Sequence, residues 1–470
     1  MRLRLFILLN LGILPFYGQQ APPSPDKAWP IQPDLRFEAD QAQTRAPGPA
    51  VDPNKLYTLA DLVDIAERGN PDARVAWERA KARAAAVGVA NSALFPTLAA
   101  LASASMNQYS LFAGKFYHED TSLFPATVNL SYTIFDFGAR AARIDAAKAD
   151  LLASDFAFND THRRIIFNVA QAYYQLLEAQ GQEDAGQATL KDAQTVQDAI
   201  EAKLDNGLAT LPDALEARAA TAQARYELAS IQGLEESARG ALATAMGVSP
   251  AIRFRVADLT KVPIAESIDE PVQTVMKRAL AQRPDLLAQV AQVRTAEAEI
   301  RQARAAYYPS VSFSGSWGHI NALGQQRFHA PARSAIYPYQ VQLNLSWTIF
   351  DGGARHNQIA QAQSERREAE AQAVSARDQI ENEIWTSYSN LKIAQQQQQA
   401  ADALIQAADQ SYAAATQAFR AGVRTFIDVT TAQRDLARAR TAQVTARVNL
   451  LVSLADLAFR AADPIPATQH

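Results

Sequence analysis

Two aspartates stand where carboxylates could act on passing ions. Asp213 and Asp428 lie 215 positions apart, each three residues after a threonine, Thr210 and Thr425. The first reading of that spacing is a capping box, in which the hydroxyl meets a helix N–H and the carboxylate reaches back to the threonine backbone. The same carboxylates, repeated around one axis by several copies, would draw cations and repel anions. Arg424 stands near the second of these helix starts, as solvated surface or as a donor to a carboxylate such as Asp213 on a neighbouring hairpin.

Little else in the chain could do chemistry. Its histidines (His118, His162, His319, His329, His356 and His470) are scattered, and His162 and His356 have no His or Cys at ligand spacing. His118-Glu119-Asp120 falls in an expected loop and is a weak metal candidate. There is no cysteine, which removes thiolate metal sites, disulfides, thiol nucleophiles and an acyl anchor on an N-terminal Cys. Nucleophile elbow, phosphate loop, zincin motif and paired catalytic carboxylates are all missing. No enzyme, cofactor or metal is therefore expected. A net charge of −4 gives no basic face for nucleic acid.

The elements that must position these residues repeat in tandem. Asn70-Pro71-Asp72 recurs as Arg283-Pro284-Asp285, and Leu94-Phe95-Pro96 as Tyr307-Tyr308-Pro309, each 213 positions on. Beyond a loop of different length the offset becomes 215, joining Phe135-Asp136 to Phe350-Asp351 and Asn206-Gly207 to Ala421-Gly422. Each half reads as helix, helix, strand, loop, strand, long helix, turn, helix. Thr58 and Asp61 open the first helix, and Pro71 suits the first turn of the second. Proline-free stretches from Ala139 to about Asp205 and from Ala354 to about Ala421 predict helices of roughly 100 Å. Gly207 and Gly422 close them as C-caps that accept positive φ.

Four segments alternate with period two: about 97–110, 125–136, 310–320 and 337–350. Val128, Leu130, Tyr132 and Ile134 alternate with Thr127, Asn129, Ser131 and Thr133, and Val341, Leu343, Leu345 and Trp347 with Gln340, Gln342, Asn344 and Ser346. Such segments suit tilted membrane strands, with Trp317, Tyr337, Tyr339 and Trp347 as an interfacial belt. Leu111 to Phe124 and Asn321 to Ile336 read as long external loops. Gly138, Gly352 and Gly353 mark the joints from strand to helix.

Residues 1–20 read as a secretory signal, with Arg2 and Arg4 before an apolar run too short to span a bilayer. A proline-rich, disordered or extended arm fills 21–54, the first repeat 55–250, a linker 251–269, the second repeat 270–462 and a tail 463–470. The helical hairpins cover about 139–247 and 354–460. Four strands cannot close a barrel, and open edges are not tolerated in lipid. Three copies give a closed channel-sized barrel of twelve strands, whereas two give eight, normally filled by side chains. The expected class is therefore mainly α with membrane β, a homotrimer in outer-membrane lipid.

This ordered set resembles the TolC-like outer membrane efflux protein family over about Leu56 to Arg460. The specific parts are Tyr132-Thr133-Ile134-Phe135-Asp136-Phe137-Gly138 with Trp347-Thr348-Ile349-Phe350-Asp351-Gly352-Gly353, and the hairpin tips 206–213 and 421–429. The resemblance implies a coiled-coil-like α-barrel in the periplasm below an outer-membrane β-barrel, acting as a passive conduit for efflux or type I secretion. It implies a periplasmic adaptor (membrane fusion) protein and an inner-membrane pump of RND, ABC or MFS type. The tips Gly207, Leu208, Thr210, Gly422, Val423 and Thr425 would be the adaptor-docking surface. Asp428 matches a selectivity-ring position and Arg424 a gate arginine. Phe419 replaces a gate tyrosine and Thr431 a second ring aspartate, which implies a less acidic constriction. The competing readings are a periplasmic coiled-coil scaffold or adaptor, which leaves the strands unexplained, and an exported enzyme with a helical insertion, which lacks a catalytic constellation.

Overall fold

The computed structural model describes residues 51–112, 116–259, 270–326 and 332–464. The expected signal segment, all but the last four residues of the arm, residues 260–269 of the linker, most of the tail, and His329 lie outside the described residues, as does the side chain of His118.

The chain begins with β1 (Leu56–Tyr57), α1 (Leu59–Gly69) and α2 (Pro71–Ser92). Thr58 caps α1: its backbone N–H donates to Asp61 Oδ2 at 2.9 Å, and Asp61 N–H donates to the Thr58 hydroxyl at 3.3 Å. The strands β2 (Thr97–Ala102), β3 (Ser105–Phe112) and β4 (Phe116–Phe135) follow. Then come α3 (Ala139–Asp205) and α4 (Leu211–Ala245). After β5 (Arg255–Val256) the order recurs as α5 (Val272–Gln282), α6 (Pro284–Ala305), β6 (Ser310–Gln326), β7 (Ala332–Ile336), β8 (Tyr339–Ser346), α7 (Ala354–Arg420) and α8 (Phe426–Ala461). The two long helices, α3 and α7, have 67 residues each. Among the described residues, no helix is long and apolar enough to cross a membrane.

The expected strand bounds are corrected at both ends. The segments read as external loops are largely strand: β4 already begins at Phe116, β6 continues to Gln326, and β7 starts at Ala332. At its other end β8 stops at Ser346, so Trp347 to Phe350 lie beyond it. The stretch read as a linker is structured where it is described. Arg255 and Val256 pair in parallel with Leu56 and Tyr57, and Phe254, Val256 and Leu259 are buried. They join a core with Leu62, Val169, Leu177, Leu242 and Met246. A two-residue strand is too short for a visible alternation, so burial alone reveals it.

The sheet runs β2–β4–β6–β8, with β3 extending the β2 edge along β4 and β7 extending the β8 edge along β6. All of these pairings are antiparallel. Directly opposed residues share a face. Leu98, Leu130 and Gly315 therefore align with Val341, and Tyr132 and Phe313 with Leu343. Asn129, Ser316 and Gln340 align on the other face, as do Ser131, Ser314 and Gln342. A register shift between Thr133 and Phe135 leaves Ile134 unpaired and sets Phe135, in place of Ile134, opposite Val311.

In the second half a charged node gathers four helices. Arg283, only 7% exposed, stands between α5 and α6. It contacts Asp285 at 2.5 Å and Glu383 at 2.9 Å, and Arg460 meets the same Glu383 at 2.8 Å. From α3, Arg163 donates to the Phe459 carbonyl, and Phe167 stacks on the Phe459 ring at 4.7 Å. The matching place in the first half holds Asn70, a neutral cap that accepts from Asp72 N–H and donates to the Ala245 carbonyl at 3.0 Å.

Candidate functional site

The hairpin tips are built from the same local chemistry twice. Each long helix ends in a glycine of positive φ, 71° at Gly207 and 72° at Gly422. The next N–H returns to the helix: Leu208 to the Lys203 carbonyl at 2.7 Å, Val423 to the Ala418 carbonyl at 2.9 Å. Threonine then opens the return helix. The Thr210 N–H and hydroxyl donate to Asp213 Oδ2 at 3.1 and 2.6 Å, and those of Thr425 to Asp428 Oδ2 at 3.0 and 2.9 Å.

The Thr425 bonds, backbone first, hold the Asp428 carboxyl below its usual range, with the Arg424 charge adding to them. Replacing Thr425 by Ala removes the cap at a cost of about 1 kcal/mol. Amide exchange over 426–430 should then quicken about fivefold, and unchanged exchange would show the cap to be idle.

The structure brings the two tips together through an apolar cluster of Val196, Ile200, Ala214, Phe426 and Val429, with Phe419 packed against it. Phe419 lies 6.3 Å from Phe426 between ring centres, and Lys203 Nζ sits 3.9 Å above the Phe419 ring. Thus Phe419 ties α7 to α3. The Thr431 hydroxyl donates to the Ile427 carbonyl at 2.9 Å on its own helix. Arg424 pairs with Asp428, four residues along the same hairpin, at 3.9 Å. The described ion pairs do not join it to Asp213 of this chain; Arg424 lies just before the N-cap Thr425 and reaches forward to the first turn of α8. Leu208 and Val423, at matching positions, are 77% and 79% exposed.

The strand-to-helix joints hold residues that sequence reasoning missed. Gly138 and Gly353 take φ of 88° and 86°, and Phe137 and Gly352 take 50° and 66°. Asp136 accepts from Arg140 Nε at 2.8 Å, and Arg140 also donates to the Ala93 and Ile134 carbonyls at 3.2 and 3.3 Å. Asp351 and Arg355 repeat this at 2.6 Å, with the Ala306 and Ile349 carbonyls at 3.5 and 3.3 Å. Each clasp ties a carbonyl at the end of the preceding helix, Ala93 after α2 or Ala306 after α6, to one at the strand-to-helix joint, Ile134 or Ile349. Its signal was the recurrence of Asp-x-x-x-Arg at the 215-residue offset.

The family model described as outer membrane efflux protein matches residues 62–248 and again 275–461. Protein CyaE of Bordetella pertussis is 27% identical over 386 residues, 82% of this chain and 76% of its own length. The toluene efflux pump outer membrane protein TtgC of Pseudomonas putida is 26% identical, over 85% of this chain and 81% of its length. Among solved structures, the outer-membrane channel OprN superposes with a TM-score of 0.76 at 22% identity, covering 89% of this chain and 95% of that one. CusC superposes at 0.74 and 19% identity, covering 90% and 98%.

Proposed function

The chain belongs to the outer membrane efflux protein family, and from that premise we propose that three copies close one twelve-stranded barrel continued by a helical tunnel. It is an outer-membrane channel of an efflux or type I secretion system, a transport protein and not an enzyme. Its barrel lies in the bacterial outer membrane and its helices extend into the periplasm.

One observation carries the trimer: every layer leaves the same two sides open. The sheet ends in β2 and β3 on one side and in β7 and β8 on the other. Nearer the joints the helices follow the order α2–α3–α6–α7, and nearer the tips α4–α3–α8–α7. One side is thus β2, α2 and α4, and the other β8 and α7. These outer helices expose large apolar groups: Trp77 at 50% on α2, Tyr226 and Leu234 on α4, Trp385 at 55% and Leu404 on α7. Unpaired strand edges and apolar helix flanks aligned this way fit the opposite flank of another copy. The apolar sheet face turns to lipid, and the serine, asparagine and glutamine face turns to a water-filled lumen.

At the tips, three copies repeat Asp213 and Asp428 around the axis. Those carboxylates supply a cation-preferring ring, and Arg424 restrains the closed tips. The exposed Leu208 and Val423 offer an apolar docking surface for a periplasmic adaptor, which links the channel to an inner-membrane pump. TtgC, by its name the outer membrane protein of a toluene efflux pump, supports that partnership.

Detergent-purified protein should have the mass of three copies and open cation-preferring channels in planar bilayers. A single water-soluble copy overturns the proposal. Within it, Asp428→Asn should weaken the cation preference severalfold, read from reversal potentials, and Arg424→Ala should raise conductance. A reversal potential unmoved by Asp428→Asn removes the ring.

A further inference from the structure

Partway along the strands the polar face of the sheet gains apolar residues, and the apolar face becomes mixed. Near the joints, one face carries Asn129, Ser131, Ser314, Ser316, Gln340 and Gln342. Farther out, the same face carries Pro125, Ile320 and Ile336 in one aligned row, and Leu123 and Ala322 in the next, where Ser105 and Ser334 flank them. The β4–β6 register is continuous from Glu119 and Gln326 to Thr133 and Ser312. A slip of one residue would be needed to turn the side chains over, and none occurs. The opposite face changes the other way. Ala126, Val128 and Leu130 give way to Ser122 and Asp120, with Asn321 and Arg333 on the neighbouring strands, while Phe124 and Leu323 stay apolar. Trp317 and Tyr339 oppose each other just before the change, and Tyr337 lies 4.7 Å from His319 at it.

Strand length explains half of this. The 20 residues of β4 span about 66 Å, well beyond a lipid band of about 25 Å even when tilted. The polar outer face is therefore in water. That does not account for an inner face turning apolar where both sides of the wall are wet.

Resting on the barrel reading above, we infer that Leu123, Pro125, Ile320, Ala322 and Ile336 of the three copies form an apolar collar inside the outward end of the lumen. The collar is separate from the acidic tips at the other end. It offers ions no hydrogen bonds, so it impedes them as apolar constrictions do, and it gives amphiphilic cargo an apolar contact on leaving. The channel then discriminates twice, by charge at entry and by polarity at exit.

The chain contains no cysteine, so single introduced thiols report unambiguously. Three variants place one thiol each: Gln342→Cys on the lumen face, Leu343→Cys on the lipid face and Ile336→Cys in the collar. A charged methanethiosulfonate is added to the external side of a planar bilayer. Current should fall through Gln342→Cys and Ile336→Cys and stay constant through Leu343→Cys. In an Arg424→Ala background, which relieves the periplasmic end, Ile320→Thr with Ile336→Thr keeps β-branched shapes and should raise conductance about twofold. If Gln342→Cys responds while Ile336→Cys is silent, or the threonines change nothing, the collar is overturned and the barrel stands. If Gln342→Cys is silent and Leu343→Cys reacts, the barrel reading itself fails and takes the collar with it.

Discussion

Replacing Gly318 with alanine should abolish the proposed trimer in detergent, whereas the same change at Gly315, three residues away, should leave it intact. A Cβ at Gly318 would lie 2.6 Å from the Ala126 carbonyl oxygen and 3.0 Å from Thr127 Cα. Those are backbone atoms of β4, so no side chain can step aside. The Gly318 N–H also donates to the Pro338 carbonyl at 3.0 Å, which fixes β6 from its other flank. The strand must therefore leave one partner or the other. Overpacking of this kind costs about 1–3 kcal/mol even where side chains can yield, and here it falls on the β4–β6 ladder, which joins the two halves of the sheet. At Gly315 the nearest groups are the Phe313 ring at 3.8 Å and the Gln340 carbonyl at 3.9 Å, ordinary contact distances. Gel mobility with and without boiling distinguishes the outcomes. Equal behaviour of the two variants would mean that β4 and β6 do not approach so closely.

The second large effect is expected at the charged node. Glu383→Ala should destabilise the helical part by about 2–3 kcal/mol, because Arg283 and Arg460 lose the carboxylate they share and Arg283 is buried. Arg68→Ala, which breaks the exposed pair with Asp64, should change nothing measurable. Thermal loss of helical circular dichroism in detergent tests both. The node also sets a pH dependence. Burial on its own would raise the carboxyls of Asp285 and Glu383, but the bonds and charge of Arg283, joined at Glu383 by Arg460, outweigh it and hold both below the usual range. A carboxyl whose pKa is depressed by folding stabilises the fold above its unfolded value, about 4, and loses that contribution as pH falls through its folded value. Melting should thus be nearly flat from pH 7 to 5 and drop below about pH 4, with a smaller drop in Glu383→Ala. A variant that follows the parent throughout would place the acid sensitivity elsewhere.

The long helices were legible because nothing in Ala139–Asp205 or Ala354–Arg420 interrupts them, and the strands near the joints because one face meets lipid and the other water. Alternation stops marking a strand once that contrast is gone. Phe116–Phe124 and Asn321–Gln326 therefore read as loops, although the ladder continues through them. The tips were legible as caps, since Thr210 and Asp213 act within one turn. The pairing of Arg424 with its own Asp428 needed coordinates. So did the node: Arg283 announces itself as a departure from Asn70 in the repeat, but its partner Glu383 is 100 residues away. Gly315 and Gly318 are indistinguishable in the sequence, and only the register shows which of them has a neighbour's backbone against it.

The open flanks of β2 and β8 bear on biogenesis. An isolated copy carries two rows of unsatisfied amides and carbonyls that hydrocarbon cannot solvate. In the proposed trimer, subunits must therefore find one another before or during insertion. At low abundance the yield of inserted pores should then climb more steeply than in proportion to the amount of chain delivered, and periplasmic chaperoning of those naked borders becomes part of how quickly a cell can build the conduit.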